Sequence, residues 1–280
     1  MKVKWFIEDY NHDSSLKPLM DEIENQGMDC LHFKWETWNN PKPLFSEFSD
    51  DECVIFYGTL NLGREIQKSV PWIPGVYCNF KNLCCHTYYS YWAKYLLNQD
   101  YMMIPMLEIL RNRDYIYNNY GDLKENIFIR PDSGAKPITG QLLNYNELDK
   151  EFKLFRDYAG NDLDQIISIV SSAKQIEIEW RFVVVNKKVV AGSQYKKDEK
   201  LDINPFFDVE AFELADKIAK EEWQPDKVYT LDICKSYGKY YLLEANSFSC
   251  SGLYEADPTA IVREVSKVAL EEWKEYNDGN

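Results

Sequence analysis

Two short stretches near the end of the chain decide how it is read: Tyr229-Thr230-Leu231-Asp232-Ile233-Cys234 and Tyr240-Tyr241-Leu242-Leu243-Glu244-Ala245-Asn246. They flank Lys235-Ser236-Tyr237-Gly238 and read as two strands joined by a turn. Strand side chains alternate faces, so Glu244 and Asn246 point the same way. With Asp232 paired to Leu242, Asp232 and Glu244 become same-face diagonal neighbours, roughly 7–8 Å apart at Cα. One hard divalent cation bridges such a gap through oxygen ligands, and Asn246 supplies a third oxygen. A slip of one residue sends Asp232 to the opposite face and destroys the set. Two acids and an amide facing inward among Leu, Ile and Tyr are costly to bury uncompensated. The competing reading is a polar strand face turned to water.

Compensating cations lie upstream. Asn126-Ile127-Phe128-Ile129-Arg130 reads as a strand, followed by a loop with Pro131, Gly134, Pro137 and Gly140 that carries Lys136. Arg181 is centred in the apolar strand Glu177-Ile178-Glu179-Trp180-Arg181-Phe182-Val183, on the layer of Glu177, Glu179 and Val183. It is either a salt-bridge partner of one of those glutamates or a bidentate grip on a phosphate. Magnesium usually keeps waters and bridges to substrate phosphates. Three bases beside three oxygen ligands fit a metal-bound triphosphate, whose transfer is mostly positioning and electrostatics.

Working outward, the first half alternates strands and helices. Val3–Glu8, Cys30–Lys34 and Cys53–Tyr57 read as strands, and Leu16, Leu19, Met20 and Ile23 recur at helical spacing before Gly27. This implies a small α/β layer. Trp38–Pro43 is a loop by composition, and the aromatics of Thr87–Leu97 read as core. The texture changes near Tyr101, which places a boundary between residues 1–100 and 101–280. Met106–Arg111 and Tyr145–Tyr158 read as helices, Ile166–Val170 as a strand, and Ser171-Ser172-Ala173-Lys174 as a connector. Ile176–Val185 and Val189–Tyr195 form a hairpin. Asp208–Trp223 and Pro258–Trp273 read as helices, the second with Asp257 as N-cap. The second half is therefore α+β, and no G-x-G-x-x-G or G-x-x-x-x-G-K-[ST] occurs in the chain.

Composition excludes several classes. The 280 residues are 45% hydrophobic and 15% aromatic, which rules out a disordered chain. The net charge of −14 repels nucleic acid and anionic membrane, a local basic groove aside. No run reaches the roughly 18 apolar residues that cross a bilayer, so a soluble, cytoplasmic chain is expected. Seven cysteines without a C-x-x-C spacing read as reduced thiols. Cys84-Cys85-His86 is the one Cys/His cluster in the sequence, and its spacing matches no established ligand pattern. The three histidines, at 12, 32 and 86, lie outside the second-half motifs.

Four segments in order carry a likeness: YGTLNLG from Tyr57, IFIRPDSGAKPITG from Ile127, IEWRFVVVNKKVVAGSQY from Ile178 and LLEANSFSCSGLYEAD from Leu242. The sequence resembles the ATP-grasp superfamily, and within it the clade named for two arginines and one lysine. The resemblance implies an ATP-grasp fold of two α+β subdomains clasping ATP, preceded by a small α/β domain. It implies Mg²⁺ on Asp232, Glu244 and Asn246, phosphate contacts and catalytic roles for Arg130, Lys136 and Arg181, and a place in the nucleotide site for Glu179. Ser171, Ser172, Ala173 and Lys174 would clasp the adenine through their backbone. Two departures stand out: where most such enzymes carry a lysine before the flexible loop this sequence has Arg130, and it shows no long glycine-rich lid, Ser133-Gly134-Ala135 being the one short candidate. The implied reaction activates a carboxylate as an acyl phosphate for attack by an amine or thiol. The acceptor is a small molecule, a peptide or an RNA end, the last through an RNA-ligase relative of the same clade; a non-catalytic ATP-binding module is the third reading. Ser247–Glu255 either touches the acceptor or simply leads into the last helix.

Overall fold

The computed structural model describes residues 2–9, 15–34, 45–159, 163 and 165–279. The expected Trp38–Pro43 loop and His12 lie outside them. Strands β1 (Lys4–Glu8) and β3 (Cys53–Tyr57) are buried along almost their whole length, as parallel strands covered on both faces are. They form the centre of a four-stranded parallel sheet in the order β2-β1-β3-β4, with β2 (Asp29–Phe33) and β4 (Ile73–Gly75) at its edges. Helix α1 (Leu16–Asn25) turns Leu16, Leu19 and Ile23 inward and stops before Gly27, whose φ of 75° suits a residue without a side chain. Helix α2 (Leu60–Ser69) starts at Thr59, whose hydroxyl accepts the Leu62 N–H. Helix α3 (Cys85–Trp92) follows; Tyr88, Trp92 and Tyr95 are core residues, whereas Tyr91 faces solvent.

A second, antiparallel sheet runs β5-β8-β6-β7, from β5 (Tyr101–Pro105), β6 (Asn126–Pro131), β7 (Gln141–Asn144) and β8 (Ile167–Ser172). Helices α4 (Glu108–Arg111), α5 (Arg113–Tyr120) and α6 (Leu148–Ala159) back it over a core that includes Ile116, Ile127, Leu148 and Phe152. The sequence reading differs here in several ways. Strands β5 and β7 were not anticipated, the Met106–Arg111 helix is one turn, and the tyrosine-rich stretch after it is itself helical.

The third sheet has the order β11-β10-β9-β12-β13, from β9 (Ile178–Val185), β10 (Lys188–Lys197), β11 (Lys200–Asn204), β12 (Val228–Ser236) and β13 (Lys239–Ser247). Asn186 and Lys187, and Tyr237 and Gly238, all have positive φ, the two-residue hairpin geometry matched to strand twist. The second turn is thus tighter than the four residues read from sequence. Helix α7 (Val209–Ala219) is shorter than expected and helix α8 (Pro258–Asp278) longer. The Asp257 side chain caps α8 at the Thr259 N–H. Helix α8 joins the first sheet to the third: Trp5 Nε1 donates to Ser266 Oγ at 3.1 Å, and Tyr77 Oη to Glu272 at 2.6 Å. No helix among the described residues is long and apolar enough to cross a membrane.

Gly192 of β10 lies opposite Phe182 of β9, and a Cβ there would sit 2.5 Å from the Phe182 ring. Gly192→Ala should therefore lower unfolding stability by about 1–3 kcal/mol in urea denaturation. An unchanged midpoint would show that the ring moves aside freely.

Candidate functional site

The ribbon of β12 and β13 brings the acids together, in a register other than the expected one. Asp232 pairs directly with Glu244, not with Leu242. Ile233 takes Leu242, so Leu243 is the extra residue of a β-bulge. On the other side of β12, β9 pairs Arg181 with Asp232. One row across three strands thus reads Arg181, Asp232, Glu244, and directly paired side chains share a face. Asn246 sits on that face too, its Nδ2 donating to Asp232 Oδ2 at 3.1 Å and to Glu244 Oε1 at 2.9 Å.

The second sheet supplies the remaining cations. Arg130, at the end of β6, donates to Glu244 Oε2 at 2.8 Å. Lys136 in the following loop donates from Nζ to Glu244 Oε1 at 3.1 Å and also to Asn246 Oδ1. Arg181 is bidentate to Asp232, with both nitrogens 2.7 Å from the carboxylate oxygens. The salt bridge from Arg181 to Glu177 or Glu179, one of the two readings of that arginine, is not formed, because the cross-strand Asp232 is nearer than a neighbour on the same strand. Glu179 pairs instead with Lys196 at 3.1 Å and accepts from Tyr195.

Electrostatics separates the two acids. Burial pushes the Asp232 carboxyl up to about 6, against the pull of Arg181. Burial also opposes ionisation of Glu244, but Lys136 and Arg130 more than offset it and hold that carboxyl well below its usual range. Two adjoining carboxylates rarely ionise alike, and here the one with two cations keeps its charge. Tyr195 and Tyr254 stack on each other at 4.9 Å, and the Arg181 guanidinium lies over both rings, 5.6 and 5.3 Å from their centroids. Neither tyrosine was singled out in the sequence, although Tyr195 ends one quoted segment and Tyr254 lies in another, within the Ser247–Glu255 loop.

Above the acids lies a cleft of about 300 Å³, between the second and third sheets, with Arg130, Lys136 and Glu244 in its lining. Phe128, Ile176 and Leu243 line it and also the adjoining cavity of about 270 Å³. The charged end suits phosphates and the apolar end a flat base. Phe128 was legible as the i−2 neighbour of Arg130 on the same strand face. A larger hollow of about 540 Å³, lined by Lys136, Pro137, Ile138 and Phe155, contains neither ribbon acid, whereas Glu244 lines the smaller cleft. The connector read from the sequence after Val170 starts later than expected. Ser171 and Ser172 are part of β8, and Ser171 pairs with both Tyr101 and Phe128. The connector therefore begins at Ala173; Lys174 lines the adjoining cavity and pairs with Asp100 at 2.6 Å.

The Ser247–Glu255 loop is bound to the first sheet. Gly58 N–H donates to the Ser249 carbonyl at 2.8 Å, Tyr57 Oη to the Ser251 carbonyl at 2.6 Å, and Tyr77 N–H to Ser249 Oγ at 2.9 Å. Ser247, Cys250 and Ser251 line a small void of about 30 Å³ with Lys136 and Asn246. A hydrogen bond with Cys78, together with burial, pushes the Cys250 thiol well up, which disfavours a thiolate nucleophile.

A family model for the ATP-grasp domain, R2K clade family 2, matches residues 111–263. The chain belongs to this family. Solved ATP-grasp relatives share the fold. D-cycloserine synthetase DcsG superimposes with a TM-score of 0.64 at 10% identity, covering 95% of this chain and 99% of that one. D-alanine–D-alanine ligase from Bacillus anthracis gives 0.62 at 13% identity, covering 99% of each chain. Macrocyclase MdnC from Microcystis aeruginosa, bound to a precursor peptide, gives 0.54 at 11%, covering 96% and 99%. No curated protein matches the sequence.

Two outcomes follow for this ATP-grasp site. As a cation ligand Asp232 would first have to lose its proton, and burial pushes that carboxyl up to about 6. Magnesium-dependent nucleotide affinity should therefore weaken roughly tenfold from pH 7 to pH 5, measured by calorimetry. A flat profile would show that Asp232 takes no part in metal binding. Glu244→Gln strands Arg130 and Lys136 without their carboxylate, so unfolding stability should fall by about 3 kcal/mol. In metal-free buffer ATP should raise the variant's Tm more than that of the wild type; an equal rise would dissociate these cations from the phosphates.

Proposed function

We propose that the chain is a magnesium- and ATP-dependent ligase that activates a carboxylate as an acyl phosphate for attack by an amine or thiol. The observation that carries this reading is the convergence of Arg130, Lys136 and Arg181 on Asp232, Glu244 and Asn246, beside a cleft that Arg130, Lys136 and Glu244 line. The donor set fits the group: two carboxylates and an amide offer oxygen alone, the preference of a hard cation. A bound magnesium ion would screen the γ-phosphate charge against an incoming carboxylate. Related proteins support the pairing, since the Bacillus anthracis ligase was solved with ATP and ligase PsnB with Mg and ADP.

Arg130 and Lys136 then have two alternative anions, Glu244 or the triphosphate. As the phosphates arrive the two cations transfer to these, which frees the Glu244 carboxylate; Asp232, Glu244 and Asn246 would hold a magnesium ion when one is bound. The acceptor carboxylate oxygen attacks the γ-phosphorus, and the bond to the β–γ bridging oxygen breaks to leave ADP. The amine or thiol next attacks the acyl carbon; the C–O bond to phosphate breaks, and the attacking atom's proton passes to solvent. Arg181, fixed by Asp232 and the two tyrosines, holds a positive charge at the place where negative charge develops. Phe128, Ile176 and Leu243 hold the base, with the connector from Ala173 supplying backbone contacts. The void beside Ser247 and Ser251 lies on the acceptor side of Lys136. Residues 1–100 form the domain that shapes that side, and residues 101–280 the ATP-grasp domain.

The test is a screen of amino acids, small carboxylates and peptides with nucleotide product as readout. ADP released only when acceptor and nucleophile are both present is the expected result, reduced at least 10²-fold in Arg181→Ala. AMP as product would replace this reading with adenylyl transfer, such as to an RNA end. Arg181→Ala with unchanged turnover and only a lower Tm would reduce Arg181 to a structural partner of Asp232.

A further inference from the structure

The Cys84-Cys85-His86 cluster takes no part in the nucleotide site, yet the fold completes it. Asp132, the residue after β6, comes up against the start of α3. Donor atoms of Cys84, His86 and Asp132 all lie within 4.8 Å of one another. We propose that these three side chains form a second metal site, for a thiophilic divalent ion of the zinc type. The proposal is independent of the ligase reading.

The donor chemistry differs from that of the ribbon acids. A thiolate, an imidazole and a carboxylate suit zinc or its neighbours, whereas magnesium prefers oxygen alone. Zinc bonds of about 2.0–2.3 Å at tetrahedral angles set donor atoms roughly 3.3–3.6 Å apart. His86 Nδ1 and Asp132 Oδ2 stand at 2.7 Å, so modest side-chain shifts admit the ion. Three protein ligands leave the fourth position to water, and His86, 54% exposed, marks a route of entry.

A second observation points to a cation. The Asp132 side chain is only 7% exposed, and among the described residues it has no Lys or Arg partner. A carboxylate that deeply placed normally has its charge compensated. The competing explanation is a helix cap, since Asp132 Oδ1 accepts the His86 N–H at 2.9 Å. Capping does not account for the thiol. Adjacent thiols also diverge: Cys84 donates to the Phe80 carbonyl at 3.3 Å, whereas Cys85 faces Tyr88 and Pro131. An ion held here would fasten α3 to the root of the loop that carries Lys136.

Cobalt(II) is the probe, added to the full chain after chelator treatment, without nucleotide. One equivalent should give a thiolate-to-cobalt charge-transfer band and intense tetrahedral visible bands, both erased by zinc and not by excess magnesium. Cys84→Ser should abolish the charge-transfer band. His86→Ala retains the backbone N–H that Asp132 caps, so the chain should still fold, and it should weaken cobalt binding at least about tenfold. Cys30→Ser, remote from the cluster, should keep the full spectrum. Absence of any charge-transfer band, or a band that survives Cys84→Ser, overturns the site; so does unchanged affinity in His86→Ala.

Discussion

Asp232 and Glu244 stand directly opposite each other on paired strands, and like charges at that spacing repel when both ionise. Most of the site answers that constraint. Arg181 takes Asp232 from the neighbouring strand, Arg130 and Lys136 take Glu244 from another sheet, and Asn246 donates to both acids. Three cationic groups against two carboxylates leave one positive charge in excess, an arrangement suited to a polyanion. The tyrosines over Arg181 complete the balance, because a guanidinium tolerates aromatic faces better than an ammonium does.

The bulge at Leu243 is what makes the ribbon work for both ends of the cleft. In a regular strand Leu243 and Glu244 would face opposite sides. With the extra residue, both line the same cleft, so β13 contributes an apolar surface and an acid at adjacent positions. The bulge also sets Glu244 level with Asp232 and Arg181, close enough for a single row of charge.

Much of this was legible in the sequence. Residues two apart on a strand share a face, so Glu244 with Asn246, and Arg130 with Phe128, follow from spacing alone. The order of Arg130, Lys136, Arg181, Asp232, Glu244 and Asn246 carried the family likeness. What stayed hidden was non-local. Nothing in Tyr240–Asn246 announces a bulge, because bulges answer to the partner strand. Arg181 had two glutamates nearby in sequence and chose an aspartate 51 positions away. Strand β7 has four residues and β11 carries Leu201 to solvent, so neither shows a clean buried alternation. Ser171 and Ser172 read as connector by composition, yet hydroxyl residues suit β8, where Ser171 is fully buried between two partner strands. Asp132 joined Cys84 and His86 only through the fold.

The loop after β13 is tied to the first sheet at Gly58, Tyr57 and Tyr77, and α8 spans the same two sheets. The acid-bearing ribbon is therefore one jaw of a clasp, fixed to the body of the molecule. Arg130 and Lys136 ride on the opposite jaw, and their contacts to Glu244 and Asn246 act as a latch. Such a latch is ionic, so its grip depends on the medium: dissolved salt loosens it, and a cargo rich in negative charge competes for the same hooks. On the proposed reading, the clasp would thereby be released by the very class of molecule it holds.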